Sequence, residues 1–150
     1  MFTSGCIILN SEYAEKDQKG YYVYHYYSCG PRALEKIILG FEGKSPNARE
    51  ISKEIQDSGN SMRLCAALVH CKAIQATWPS EIKKVLVKRG YEVKEVNSLS
   101  ELEENDKAVV LVRGSLTQKE YYHWLAHPID KNIDKFFGED TKVLLVIKVK

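Results

Sequence analysis

The sequence predicts an α+β domain, with helices in its first two thirds and a mostly antiparallel sheet at its end, on three observations. Before residue 90, apolar residues recur at three-and-four spacing in successive stretches, the pattern that gives a helix one buried stripe. From Tyr91 onward the spacing changes to short runs rich in Val, Leu, Ile and Tyr, which read as strands. The chain has 150 residues, one domain of ordinary size spanning 1–150, with no repeat, linker or low-complexity segment to divide it. Helices followed by strands pack most naturally as a helical layer against one sheet.

In chain order, Cys6-Ile7-Ile8-Leu9 reads as a short buried strand, and a polar turn follows over 10–20. The run Tyr21-Tyr22-Val23-Tyr24-His25-Tyr26-Tyr27 has the aromatic character of an extended segment. The first helix is expected to open at Cys29. Ser28 can cap it, and Pro31 suits a first turn, where its missing N–H breaks no helical bond. Ala33, Leu34, Ile37, Ile38 and Phe41 form its stripe, and 40–46 reads as a loop. Asn47 opens a second helix with Ala48, Ile51 and Ile55 on one face, ending near Gly59. A third is expected over 61–73, with Leu64, Ala67, Leu68 and Cys71 inward. Trp78-Pro79-Ser80-Glu81 starts a fourth, whose stripe is Ile82, Val85 and Leu86 and whose stop is Gly90. A strand over 91–96, a short helix over 99–104 and strands over 108–113, 122–129 and 142–149 complete the chain.

Composition narrows the partners. Lys plus Arg number 22 and Asp plus Glu 20, so the net charge of +2 provides no general attraction to nucleic acid or anionic membrane. The tyrosine run lacks the interleaved Lys or Arg of a base-stacking surface, which points instead to packing or to lining a groove. Neither nucleic acid nor membrane is expected as a partner, since even the apolar runs 109–112 and 143–149 are only strand-length. Cys6, Cys29, Cys65 and Cys71 form no CxxC pair or dense framework, and the apolar run 6–9 is too short for a signal-peptide core. The expected location is cytoplasmic, with reduced thiols. Cys65, His70 and Cys71 lack the fourth ligand and the spacing of a structural zinc site, so neither metal nor cofactor is expected.

Cys29 is the residue with chemistry in prospect. A helix start offers unpaired amides and the positive end of the dipole, both of which stabilise a thiolate. The plain alternative is a small buried thiol at a helix end, because free Cys is among the most buried residue types. His123, in Tyr121-Tyr122-His123-Trp124-Leu125, stands at the expected beginning of a strand after a loop opening at Gly114. If the helix of Cys29 packs on that sheet, its imidazole can reach the thiol. His25 ranks lower, since four extended residues carry it about 13 Å from Cys29.

Ser28-Cys29-Gly30-Pro31-Arg32-Ala33-Leu34, followed by a helix, resembles the nucleophile segment of papain-like cysteine peptidases, particularly the C39-like type that cleaves after double-glycine leaders. The order of later elements agrees, through 78–93, the strand Val109-Val110-Leu111-Val112 and a strand opening on His123-Trp124. The resemblance covers most of the chain from Tyr21 on. It implies a papain-like fold, an N-terminal helical lobe with the nucleophile helix packed on a C-terminal sheet. It also implies Cys29 as nucleophile and His123 as general base and later acid, in acyl transfer through a thioester.

Two departures accompany it. Val23 stands where the family places an oxyanion glutamine, which leaves the backbone N–H of Cys29 and the side chains of Gln18, His25 and Asn10 as candidate donors. Losing one such donor typically costs roughly two to three orders of magnitude in rate. The family's orienting acid or amide falls near 148–150, where this chain has neither. The candidates left for the orienting acid are Asp130, about 23 Å from His123 if the strand is straight, and Asp140, at the wrong end of the return strand unless a bent connection over 130–141 brings an acid back. The reading is a stand-alone cysteine hydrolase, a peptidase or amidase working by a Cys29–His123 dyad on a peptide or protein substrate. The alternative is a catalytically inactive papain-like module that binds a peptide or protein through the tyrosine run.

Overall fold

A computed structural model describes residues 15–16, 22–23, 25–57, 77–116, 119–130 and 141–150. The strand expected over 6–9, the helix over 61–73 with Cys65, His70 and Cys71, and Asn10, Gln18 and Asp140 lie outside them. The elements are β1 (Glu15–Lys16), β2 (Tyr22–Val23), α1 (His25–Glu42), α2 (Ala48–Asp57), α3 (Pro79–Lys88), β3 (Val93–Val96), a 3-10 turn (Leu99–Glu101), β4 (Lys107–Leu116), β5 (Lys119–His127) and β6 (Lys142–Val149). Among the described residues, three helices and a four-stranded antiparallel sheet make an α+β fold.

Local chemistry explains most boundaries. Asn47 and Glu50 satisfy each other's backbone at the start of α2: Glu50 N donates to Asn47 Oδ1 at 2.9 Å and Asn47 N to Glu50 Oε2 at 3.0 Å. At α3, Pro79 occupies the first turn and Trp78 N donates to the buried Glu81 Oε1 at 2.9 Å. Gly90, at φ 89°, takes the left-handed conformation that ends α3, and Tyr91 N returns to Leu86 O at 3.1 Å. Gly43, at φ 70°, does the same for α1, its N–H meeting Leu39 O at 2.9 Å.

Three expectations change. The first helix opens at His25, so Pro31 is an interior residue. Its missing N–H leaves the carbonyl of Tyr27 without a helical donor, ordinarily a cost of about 3 kcal/mol. Contacts from outside the helix hold this turn: Pro31 is buried, and its neighbour Gly30 lies hard against Thr77. Gly114 opens no loop, because β4 runs on to Leu116 and pairs with β5 through Gly114↔Tyr121 and Leu116↔Lys119. The segment after β3 forms a single 3-10 turn in place of an α-helix.

The sheet order is β3-β6-β4-β5, so β5 is an outer strand of the sheet. Its pleat divides the core in two. Val109, Trp124, Ala126, Ile147 and Val149 join Leu34, Ile37, Ile51, Ile55 and Leu86 of the helices in one buried cluster. Ala108, Val110, Val112, Leu125 and Val146 form the other, against Val96, Leu99 and Leu102. A bulge sets Leu111 opposite Leu145 and Val112 opposite Val143, and Leu144 between them is 45% exposed.

The helical layer meets the sheet at Thr77. Trp124, only 2% exposed, donates its Nε1–H to Thr77 O at 2.8 Å, which ties β5 to the start of α3. A Cβ on Gly30 falls 2.5 Å from both Cβ and Oγ1 of Thr77, so α1 passes this junction only with glycine there. Trp124→Phe is expected to lower unfolding free energy by about 1–3 kcal/mol by orphaning that carbonyl, read by urea denaturation. Gly30→Ala should cost about 1–3 kcal/mol through overpacking, and adding Thr77→Gly, but not Thr77→Ala, should restore part of it.

Candidate active site

Cys29 stands in the second turn of α1, not at its start. Two properties expected of it change accordingly. The helical pattern commits its N–H to the carbonyl of His25, so this amide is not available to an oxyanion. The favourable field of the dipole also fades beyond the first turn. His25, expected about 13 Å away on an extended chain, lies one helical turn away, an axial rise of about 6 Å. Val23, at the position where the resemblance calls for glutamine, pairs with Glu15 in the β1–β2 ladder.

The sulfur is not a free thiol. Cys29 is disulfide-bonded and 8% exposed, which corrects the expectation of reduced thiols at this residue. The other cysteines of the sequence, Cys6, Cys65 and Cys71, lie outside the described residues. With its valences taken by carbon and a second sulfur, Cys29 in this form has no proton to yield and no thiolate to present.

His123 lies in the middle of β5, paired with Val112, and not at a strand start. Because strand side chains alternate, it shares the pleat face of Leu125, while Trp124 turns toward α1 and the cluster that contains Cys29. The pleat thus sets His123 on the face away from that cluster, and Lys36 and Asp130 pair beside the outer edge of β5.

Asp130 comes back to the strand in place of extending some 23 Å beyond His123. Its N–H donates to Ala126 O at 2.7 Å and its Oδ2 accepts from Ala126 N at 2.9 Å, capping the outer edge of β5. Its Oδ1 pairs with Lys36 Nζ of α1. The two charges act on His123 in opposite senses. Burial lowers its pKa to about 4, with Asp130 raising it and Lys36 lowering it further. At neutral pH the imidazole is uncharged, the form that accepts a proton.

Sequence reasoning therefore named Cys29, His123 and Asp130 but missed Lys36 and Thr77. Lys36 looks like any solvated helix lysine until α1 is laid along β5. Thr77 carries no motif, although its Oγ1 is buried without a hydrogen-bond partner among the described residues. Among the described residues, no group of three or more His, Cys, Asp or Glu could hold a metal ion, and no helix is long and apolar enough to cross a membrane.

Folded His123 takes its proton only near pH 4, whereas the unfolded chain takes one near 6.5, so the unfolded state binds the extra proton between those values. Stability is expected to fall as pH drops from 6.5 to 4. His123→Gln should flatten that part of the melting-temperature profile, and an unchanged slope would exclude the assignment. Lys36→Met should raise the His123 midpoint seen by NMR titration, because it removes the charge that opposes protonation.

Comparison of the chain with family models, curated proteins and solved structures returned no match.

Proposed function

We propose that the chain is a cysteine hydrolase of papain-like, C39-like architecture, acting on a peptide or another amide or thioester through Cys29 and His123 when Cys29 is a free thiol. One observation carries the reading: α1, which bears Cys29, lies on β5, which bears His123, and Lys36 of that same helix acts electrostatically on the imidazole. The resemblance around Cys29-Gly30-Pro31 supplies the class of chemistry.

The residues take the following roles. Neutral His123 accepts the Cys29 proton as sulfur attacks the carbonyl carbon. The tetrahedral species collapses to a thioester as the imidazolium protonates the departing amine. Water, deprotonated by the same ring, then attacks the thioester carbon, the C–S bond breaks, and the departing Cys29 sulfur takes the proton back from the imidazolium. Asp130 favours the imidazolium, since its charge raises the His123 pKa. A catalytically silent module that binds a peptide or protein is the second reading. It is favoured by the pleat, which gives His123 the face of Leu125, and by the committed N–H of Cys29.

Alkylation of the fully reduced protein separates the two. A working dyad makes Cys29 react with iodoacetamide at pH 7 at least tenfold faster than glutathione, and His123→Ala removes most of that excess. A Cys29 rate no higher than that of glutathione, unchanged in His123→Ala, would leave only the binding module.

A further inference from the structure

We infer that the outer edge of β3 pairs with the same edge of a second copy of this chain, joining the two sheets into one about a twofold axis at Val93. The order β3-β6-β4-β5 gives the sheet two outer strands, and they are finished differently. Asp130 covers part of the β5 edge through Ala126. Among the described residues, no group covers the edge of β3 in this way.

The register fixes which backbone groups lie on that edge. Glu92 and Lys150 exchange both of their hydrogen bonds, each at 2.9 Å, and Lys94 and Val96 follow at the two-residue repeat, opposite Lys148 and Val146. The N–H and C=O of Val93 and Glu95 therefore point away from β6, to the outside of the sheet. Among the described residues, no hydrogen bond reaches these groups. Such an edge is a template for one more extended strand.

Charge selects the occupant and its register. Glu92 and Lys94 are both exposed, two residues apart and so on one face of the strand. Within the chain Lys94 lies opposite a like charge, Lys148, whose ammonium already pairs with Asp106 at 2.5 Å. Among the described residues, Lys94 has no carboxylate of its own. A symmetric antiparallel pair must centre on a single residue, because outward groups can bond only to outward groups. Centring on Lys94 or on Glu95 opposes that charge to its own copy, and centring on Val96 runs the partner past the end of β3. Centring on Val93 sets valine against valine, and each Lys94 against Glu92 of the second copy. Both charged pairs are then complementary.

The same axis sets the two copies of α3 side by side on one face of the joined sheet. Lys83 reaches from α3 to Glu95 at this edge. Val87, one turn further along the same side of the helix, is 56% exposed. Pairing turns this valine toward its copy, and each shields the other from water.

The test measures the weight-average mass of the full chain by light scattering from about 10 μM to 1 mM, the range of a weak association through a small interface. The wild-type mass is expected to rise from that of one chain toward twice that value. Lys94→Glu sets two carboxylates opposite each other, and Glu92→Lys sets two ammonium groups opposite each other. Each alone should raise the dissociation constant at least about tenfold. Mixing the two single variants should restore association, and so should the double variant Glu92→Lys/Lys94→Glu. All the substitutions are on exposed side chains, and thermal melting checks that each variant is folded. A wild-type chain that stays monomeric at the highest concentration overturns the proposal. So does a dimer that neither single substitution weakens, or one that mixing does not bring back.

Discussion

The buried hydrogen bond from the Trp124 indole to the carbonyl of Thr77 is the constraint on which the described structure turns. A carbonyl just ahead of a helix start needs a donor once it is buried, and an indole N–H inside a core needs an acceptor. Each satisfies the other, and in doing so fixes how far β5 stands from α3. α1 then has to pass close to Thr77, and only a residue without Cβ fits there. Gly30 meets that requirement, and Cys29 is its immediate neighbour. The position of the sulfur thus follows from a packing rule one residue away.

The outer edge of β5 is organised by charge as well as by packing. An uncovered strand edge presents unpaired backbone groups, and Asp130 covers part of this one by bonding Ala126 through both main chain and side chain. Its second oxygen takes Lys36, which joins that edge to α1. His123 sits within the field of both. Burial dominates and keeps the ring neutral, which suits a base awaiting a proton and is unsuited to an imidazolium already paired with a thiolate.

One feature favours the hydrolase reading and three count against it. The juxtaposition of α1 and β5 is what a cysteine–histidine reaction needs. The disulfide, the interior place of Cys29 in its helix and the pleat face of His123 count against it.

Sequence alone determined the elements whose signals are local. Asn47 ahead of α2, Trp78-Pro79-Ser80-Glu81 at the start of α3, Gly90 at its end and the Val- and Ile-rich final strand each act within a few residues, and all appear where read. Cys29 and His123 could be named for their chemistry, and the helix of one does lie on the strand of the other. Tertiary structure decided the rest. The start of α1 went against the proline rule because packing on Gly30 and Pro31 overrode a local preference. The return of Asp130, the partnership with Lys36 and the bonding of Cys29 join residues far apart in the chain, whose distance no spacing encodes. The face of His123 depended on a strand register set by the pairing of Val112, and a shift of one residue would have reversed it.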